Sequence, residues 1–278
     1  MWQLKHIPQI AHFYWGGGPL SYLRFLSVQS FKKQNPDWQV KVHQPVTNSQ
    51  APSSWVNNIK QDFRDQINTL DVVVVEHDFD SYGFSNQAHE VHKSDFLRWR
   101  LLATEGGLWS DIDIFYINHM ECLEENNLQY SNIDVALCPL KPPHKHTVGF
   151  MLASENNNFY KYISEVALAN YNKDVYQCMG SDLINGRFKD FEDFGRQFPS
   201  NQFVFLNKKS VYAITSKTID RFYQPIDQDS NNKFNNSQVI GYHWFGGHQK
   251  SQEFENNLQP DTIQNYNHFL SRVIQEKL

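Results

Sequence analysis

Residues 94–113 read Ser94-Asp95-Phe96-Leu97-Arg98-Trp99-Arg100-Leu101-Leu102-Ala103-Thr104-Glu105-Gly106-Gly107-Leu108-Trp109-Ser110-Asp111-Ile112-Asp113. Ser94 is a suitable N-cap, and Leu97, Leu101 and Thr104 recur at helical spacing, so the start of this segment is predicted to be a helix. The paired glycines predict where the helix ends, because Gly106 can adopt the left-handed conformation at little cost.

A short strand and a pair of acids follow the glycines. Leu108-Trp109-Ser110 is predicted to enter the core as a strand, and Asp111 and Asp113 lie where it emerges. In an extended chain, residues i and i+2 point to the same side, so both carboxylates are expected to face one place and Ile112 to face away. Adjacent carboxylates repel each other unless a cation lies between them. Mg2+ and Mn2+ prefer such oxygen ligands and share them with phosphates, whereas an acid pair on a solvated turn has no such role.

Three parts of this segment resemble the signature of the DXD-type glycosyltransferases: Ser94–Arg98, Glu105–Trp109 and Asp111–Asp113. The beginning of the chain, Ile7-Pro8-Gln9-Ile10-Ala11-His12-Phe13-Tyr14-Trp15-Gly16-Gly17, is similar to that family's opening Ile-Pro-Lys-Ile-Ile-His-x-x-Trp. The family includes yeast initiating mannosyltransferases, bacterial capsular and lipopolysaccharide sugar transferases, and the glucosyltransferase domains of large clostridial toxins. The resemblance covers residues 7–40 and 90–116.

The resemblance implies an α/β, GT-A-like nucleotide-binding fold with a mainly parallel central sheet flanked by helices. It implies one domain over residues 1–278, with a nucleotide-binding core at about 7–155 and an acceptor and C-terminal lobe at about 156–278. The implied activity is metal-dependent, retaining transfer of a hexose from a UDP- or GDP-linked sugar to a glycan, or to a protein acceptor as in the toxins.

The resemblance also implies roles for residues near both ends of the chain. Asp111 and Asp113 are the predicted catalytic acids and ligands of Mn2+ or Mg2+, and His243 would complete the metal site unless it is a buried structural histidine. Trp15 would stack on the nucleotide base, or else be a core aromatic beside a glycine turn. Gly16 lies in a loop of small residues after the first predicted strand, where the backbone can approach a nucleotide closely.

Further residues are predicted to bind the nucleotide or the sugar. Asp95 and Arg98, three residues apart on a helix, would hold sugar hydroxyls, although an intrahelical ion pair has the same spacing. His248 or Lys250 would pair with the diphosphate. The family's Ser-Trp ending is not reproduced and Pro is missing after Gly180, so the alignment of the last loop and the role of Asp182 stay open. The complete predicted set is Trp15, Gly16, Asp95, Arg98, Trp109, Asp182, Trp244, His248 and Lys250.

Elsewhere, hydrophobic periodicity predicts alternating strands and helices, as in a mainly parallel sheet. Val72–Val75 is a continuous apolar run, as expected of a strand buried on both faces. The predicted helices are 21–34, 55–67, 158–170 and an amphipathic 261–277; the other predicted strands are 10–14, 38–43, 134–138, 148–153 and 238–245. Residues 78–87 are predicted to form a loop near the site.

Composition narrows the class of protein and of partner. The net charge is -5 and no run of Lys or Arg occurs, so nucleic acid is not an expected partner. Three cysteines without metal-like spacing suggest reduced thiols. No apolar run is long enough for a membrane span, and a cytoplasmic enzyme of bacterial or viral origin is therefore expected.

Two other kinds of protein share some of these features. A non-catalytic protein that binds glycans or nucleotide sugars would keep Trp15 and the aromatic loops, but it would have no need of both acids. A metal-dependent phosphohydrolase also uses paired aspartates, normally at the end of its first strand, whereas Asp111 and Asp113 lie in mid-chain. The glycosyltransferase is therefore the leading hypothesis.

Overall fold

The central sheet has seven strands, and its order shows which strand ends meet. A computed structural model describes residues 6–16, 18–46, 59–123, 132–141, 145–225 and 238–278. In these residues the sheet order is β3-β2-β1-β4-β7-β6-β8, and a second sheet pairs β5 with β9. The strands are β1 Ile10–Tyr14, β2 Gln39–Pro45, β3 Val73–His77, β4 Gly107–Ser110, β5 Ile114–Tyr116, β6 Val135–Lys141, β7 Lys145–Ala153, β8 Phe203–Phe205 and β9 Gly241–His243.

Helices flank this sheet. They are α1 Tyr22–Gln34, α2 Arg64–Ile67, α3 Glu90–Thr104, α4 Asn158–Ala169, α5 Ser181–Arg187, α6 Phe191–Gln197, α7 Lys209–Tyr212, α8 Asp220–Tyr223, α9 Gln249–Asn257 and α10 Phe269–Lys277. Short 3-10 turns cover Phe79–Tyr82, Ser216–Thr218 and Ile263–Asn265. Strands β3, β2, β1 and β4 are mutually parallel and β8 is parallel to β6, whereas β7 is antiparallel to both of its neighbours. The prediction of a mainly parallel α/β sheet is confirmed.

The first β-α-β unit follows its sequence signals. The Ser21 side chain accepts from the Arg24 amide as the N-cap of α1, as predicted, and the Asn35 side chain donates to the Phe31 carbonyl at the other end of the helix. Strands β1 and β2 then pair in parallel from Ile10 with Gln39 to Tyr14 with His43. The carboxyl ends of both strands therefore meet at one edge of the sheet, where ligands bind in α/β folds.

Helix α3 begins earlier than its sequence suggests. The Nδ1 atom of His89 accepts from the Val91 amide, so the helix starts at Glu90, and the prediction of Ser94 as N-cap is wrong. Its predicted end is confirmed, since Gly106 and Gly107 have φ of 67° and 82°. A side chain at Gly107 would lie 2.4 Å from the Ile10 carbonyl oxygen, so this glycine also permits the approach of β4 to β1.

Three other predicted elements differ from the structure. Val73 is 46% exposed, because β3 lies at the edge of the described sheet and not in its middle, so the predicted burial on both faces is wrong. The predicted helix 55–67 is confined to Arg64–Ile67 within the described residues, and residues 55–58 lie outside them. The last helix is shorter than predicted: α10 spans Phe269–Lys277 and a 3-10 turn precedes it.

Two hydrophobic clusters cover opposite faces of the sheet. Alternation along β1 places Phe13 in one cluster and Tyr14 in the other. Strands β8 and β9, from the C-terminal part of the chain, pair with β6 and β5, so both parts contribute to the same sheets.

Among the residues that the structure describes, no helix is long and apolar enough to cross a bilayer.

Candidate functional site

A cavity of about 430 Å3 opens where the turn after β4, helix α3 and the loop after β9 meet. Residues from distant parts of the chain line it, including Asp95, Arg98, Asp111, Asp113, His243 and His248. Residues 78–87, predicted to form a loop near the site, contain a 3-10 turn at Phe79–Tyr82 and do not contribute to this lining. The cavity therefore brings together the predicted acids and part of the predicted binding set.

Asp111 and Asp113 each accept hydrogen bonds from other residues of the chain through one carboxylate oxygen. Asp111 Oδ1 accepts from Arg98 Nη2 and from Trp109 Nε1, both at 3.1 Å. Asp113 Oδ2 accepts from the Gly246 amide at 2.8 Å. Residues 112 and 113 form a turn, so a bend in the chain, and not the predicted extended geometry, sets the directions of these acids.

The remaining oxygens of the two acids converge on His243. Its Nε2 lies 3.1 Å from Asp113 Oδ1 and 4.0 Å from Asp111 Oδ2. One ligand atom from each residue lies within 4.8 Å of the others. Asp113 Oδ1 is buried, and its contact with His243 Nε2 has the distance of an ion pair but not the geometry of a hydrogen bond.

This donor set fits a hard divalent cation. Two carboxylates and an imidazole are ligands of Mn2+, and the carboxylates are ligands of Mg2+. The Phe245 amide donates to His243 Nδ1 at 3.2 Å, which places the ring proton on Nε2. Ligation through Nε2 therefore requires that proton to move and this contact to open. The two carboxylates are thus the part of the site that needs no rearrangement.

The backbone of Phe245, in the loop after β9, is strained. Its φ is 54°, in the left-handed region that a bulky residue rarely adopts. The Trp244 amide donates to the Asp113 carbonyl at 2.9 Å, and the next two amides contact His243 and the Asp113 carboxylate. The strained turn therefore fixes two of the candidate ligands from one short loop.

Asp95 and Arg98 form a buried pair that continues to Asp111. Arg98 Nη1 donates to Asp95 Oδ1 at 2.8 Å, while Nη2 donates to Asp111. Burial raises the pKa of Asp95 to about 7, with Arg98 opposing the shift and Asp111 adding to it. Asp95 Oδ2 is buried without a hydrogen-bond partner in the described part of the chain, and both residues line the cavity. Asp95 and Arg98 therefore form an intrahelical ion pair and also lie at the wall of the cavity.

Trp15 and Gly16 follow β1, and a second cavity of about 410 Å3 lies beside Trp15. Trp15 lines this cavity, and the Arg24 guanidinium covers its ring at 4.5 Å. A side chain at Gly16 would meet Glu90 Oε2 and the Tyr14 hydroxyl, whose hydrogen bond is 2.5 Å long. Within the described residues, Gly16 is thus surrounded by protein groups.

The other predicted binding residues differ in whether they line the main cavity. Trp109 lines the cavity and its indole holds Asp111; His248 also lines it and caps α9. Trp244 is fully buried, with its Nε1 directed to Ser27 Oγ, and does not line the cavity. Lys250 pairs with Asp220, and Asp182 is exposed on α5; neither contributes to the lining.

Sequence reasoning did not predict that two glycines approach the acids closely. A Cβ on Gly149 would lie 2.5 Å from Asp111 Oδ2, and one on Gly180 would lie 2.7 Å from Asp95 Oδ2. A glycine leaves no hydrophobic or charge pattern, so nothing in a single sequence indicates these approaches. Arg24, which also lines the main cavity, was missed because it follows a cap inside a buried helix.

The mainly parallel sheet, the paired acids at its edge and the facing histidine are features that the resemblance to the DXD-type glycosyltransferases predicted. The chain is a glycosyltransferase with a DXD motif. Residues 24–132 match the family model described as glycosyltransferase sugar-binding region containing DXD motif. Residues 153–271 match a second model, the alpha 1,4-glycosyltransferase conserved region. The predicted family and enzyme class are confirmed.

Solved structures similar to this chain are also glycosyltransferases, at low identity. PaToxG glycosyltransferase is 12% identical, with coverage of 97% of this chain and 87% of that one and a TM-score of 0.49. GlyE from Streptococcus pneumoniae TIGR4 is 12% identical over 98% of this chain and 60% of its own, with a TM-score of 0.49. The galactosyltransferase LgtC, in complex with donor and acceptor sugar analogs, is 12% identical over 97% and 100%, with a TM-score of 0.43. No curated protein sequence matches the chain.

Proposed function

We propose that this glycosyltransferase moves a hexose from a UDP- or GDP-linked donor to a glycan hydroxyl, with a divalent cation and with retention of configuration. The observation that carries the proposal is the convergence of Asp111 Oδ2, Asp113 Oδ1 and His243 Nε2 beside an open cavity. These three residues would hold Mn2+ or Mg2+, which supplies Lewis-acid stabilisation of the negative charge that develops on a departing diphosphate.

The protein's own contacts support this role by fixing the acids beforehand. Arg98 and Trp109 hold Asp111 through Oδ1, and the Gly246 amide holds Asp113 through Oδ2. Side chains that are already fixed need little reorganisation when charge develops in the transition state. This preorganisation is the main source of electrostatic catalysis. Asp95, kept beside Arg98 at the cavity wall, is the proposed contact for a sugar hydroxyl.

The second cavity supports a nucleotide donor. Trp15 lines it at the carboxyl end of β1, where nucleotides bind in α/β folds. The Arg24 guanidinium lies 4.5 Å from the centre of the ring, and the proposed base would bind where Trp15 lines this cavity. The phosphates of a nucleotide bound there would extend along the edge of the sheet toward Asp111 and Asp113.

Retention is supported by the family match of the C-terminal part. The matched region is described as that of alpha 1,4-glycosyltransferases, and common UDP-hexose donors carry the sugar in the α configuration. An α-linked product from an α-linked donor has retained its configuration. We propose attack by the acceptor on the face from which the leaving group departs. Proton NMR of the first-formed product decides this point, since a β anomer would show inversion.

A donor panel tests the proposed reaction against the two alternatives. The protein is incubated with UDP- and GDP-sugars with and without Mn2+, and free nucleotide and inorganic phosphate are measured. Metal-dependent release of nucleoside diphosphate supports the proposal; phosphate release indicates a phosphohydrolase, and binding without turnover indicates a binding protein. Asp113→Ala should abolish release, while Asp220→Asn, a carboxylate paired with Lys250 outside the cavity, is the matched control.

A glycan acceptor and a cytoplasmic location complete the proposal. The cavity is open, and the half-exposed ring of Tyr176 lies on its wall, where a sugar face can stack. The thiols of Cys138 and Cys178 are free, as expected in a reducing compartment. Transfer to oligosaccharides and to proteins is compared with the donor selected by the panel.

A further inference from the structure

We propose that Arg24 is a binding residue for the diphosphate of the donor, a role that rests on the proposed function. Arg24 lies on α1, far in sequence from the acids, yet it lines the cavity that contains them. It is only 4% exposed, so the guanidinium is a buried cation at the wall of the site. Its charge is paired with Glu255, and the guanidinium nitrogen that Glu255 does not occupy can still donate to an anion.

The Arg24 guanidinium is held rigidly by its surroundings. Glu255 accepts from Nε at 2.6 Å and from Nη2 at 3.4 Å. The rings of Trp15 and Trp244 lie 4.5 and 5.1 Å from the guanidinium carbon. No described residue accepts a hydrogen bond from Nη1. An arginine fixed in this way loses little side-chain entropy when it binds a phosphate oxygen.

Arg24 also lies at the junction of the two cavities. Trp15, on which it stacks, lines the cavity at the end of β1, whereas Arg24 itself lines the cavity of the acids. In the proposed donor position, a nucleotide that spans the two cavities would pass Arg24, which lines one cavity and contacts the lining of the other. The group of the donor that passes there is the diphosphate.

Other cations are less suited to this task. Both terminal nitrogens of Arg98 donate to carboxylates, and Lys250 pairs with Asp220 away from the cavity lining. Gly246 allows Arg24 to approach the loop that holds Asp113, because a Cβ there would lie 2.5 Å from Nη2. Arg24 therefore joins the proposed base site to the loop of the metal ligands.

The test compares a nucleoside with its diphosphate. Calorimetry in the presence of Mn2+ measures uridine, UDP, guanosine and GDP binding to the full chain and to its Arg24→Gln, Arg24→Lys and Arg196→Gln variants. We expect Arg24→Gln to weaken binding of the preferred diphosphate by about 10-fold or more, as for loss of a charged hydrogen bond, and to leave nucleoside binding unchanged. Arg24→Lys should lose less, and Arg196→Gln, at an exposed arginine on α6 outside both cavity linings, should match the wild type.

Several results would overturn the inference. Equal losses for nucleoside and diphosphate would show that Arg24 only supports Trp15, and unchanged diphosphate binding would show that it makes no contact. If Arg24→Gln does not fold by circular dichroism, Arg24→Lys decides, because it keeps the charge and loses the fork. Wild-type protein that binds neither diphosphate would refute the proposed function itself. Metal-dependent donor turnover with unchanged diphosphate affinity in Arg24→Gln would refute the Arg24 role alone.

Discussion

Three buried histidines should make the stability of this protein sensitive to mild acid. His12 Nε2 lies 3.1 Å from the Gly106 carbonyl, His12 Nδ1 2.9 Å from His43 Nε2, and His43 Nδ1 2.8 Å from His77 Nε2. The carbonyl only accepts, so His12 must carry its proton on Nε2. The same reasoning then places the proton of each following ring on Nε2, and the Tyr82 hydroxyl donates to the last Nδ1.

This chain of hydrogen bonds requires all three rings to be neutral. A proton added to the Nδ1 of His43 would face the N–H of its neighbour. Burial lowers the pKa of His12 and of His77 from 6.5 to about 4, and burial and the adjacent imidazoles hold that of His43 well below its usual range. The folded state therefore binds fewer protons than the unfolded state below pH 6.5, and stability is lost as the pH falls from there toward 4.

The size of the effect follows from these pKa values. At about pH 5.5 an unfolded histidine is mostly protonated and the folded one is not, which costs roughly 1–2 kcal/mol each for His12 and His77. Urea denaturation at about pH 7.5 and 5.5 measures the loss. His43→Gln, which removes one of the titrating groups, should shrink the difference.

Nitrogen-15 NMR of labelled histidines gives the decisive reading. We expect the rings of His12, His43 and His77 to be Nε2–H tautomers that remain neutral at about pH 5.5. A ring of this chain that is protonated on Nδ1 at neutral pH, or that titrates near its unfolded value, would refute the hydrogen-bond assignment.

Three substitutions test other parts of the account. Gly149→Ala places a Cβ against Asp111 Oδ2, so we expect Mn2+ affinity and turnover to fall by about 10-fold while the protein still folds, as titration calorimetry and circular dichroism will show. Trp244→Ala removes a fully buried ring and should lower the free energy of unfolding by about 3–5 kcal/mol in urea, a loss that a merely exposed ring would not give. Lys250→Ala breaks an exposed pair with Asp220, so kcat/KM should stay near the wild-type value; a large fall would place Lys250 on the substrate.

Local signals in the sequence predicted much of the fold. Ser21 caps α1, and Gly106 ends α3 in the left-handed conformation, because these features depend on a few neighbouring residues. The burial of β3 could not be predicted, since four consecutive valines have the same appearance in a central strand and in an edge strand. The start of α3 was missed because a histidine, His89, provides the cap in place of the more common serine.

The candidate site could be predicted only in part, because some of its residues meet through tertiary contacts and not through local sequence. Asp111 and Asp113 are two residues apart in the sequence and belong to a family signature, so they could be named together. The approach of His243 to them depends on the pairing of β5 with β9 and on a strained turn at Phe245. Arg24 reaches the cavity through contacts with Glu255 and two tryptophans that no local pattern encodes.

Binding of Mn2+, measured by electron paramagnetic resonance of the free ion, tests the central claim most directly. We predict that the wild-type chain binds a single Mn2+ more tightly when UDP or GDP is present, and that Asp111→Asn and Asp113→Asn both lose this binding. Asp220→Asn, outside the cavity, should bind as the wild type does. Equal Mn2+ binding by the wild type and by both active-site variants would contradict the assignment of the ion to this pair of acids.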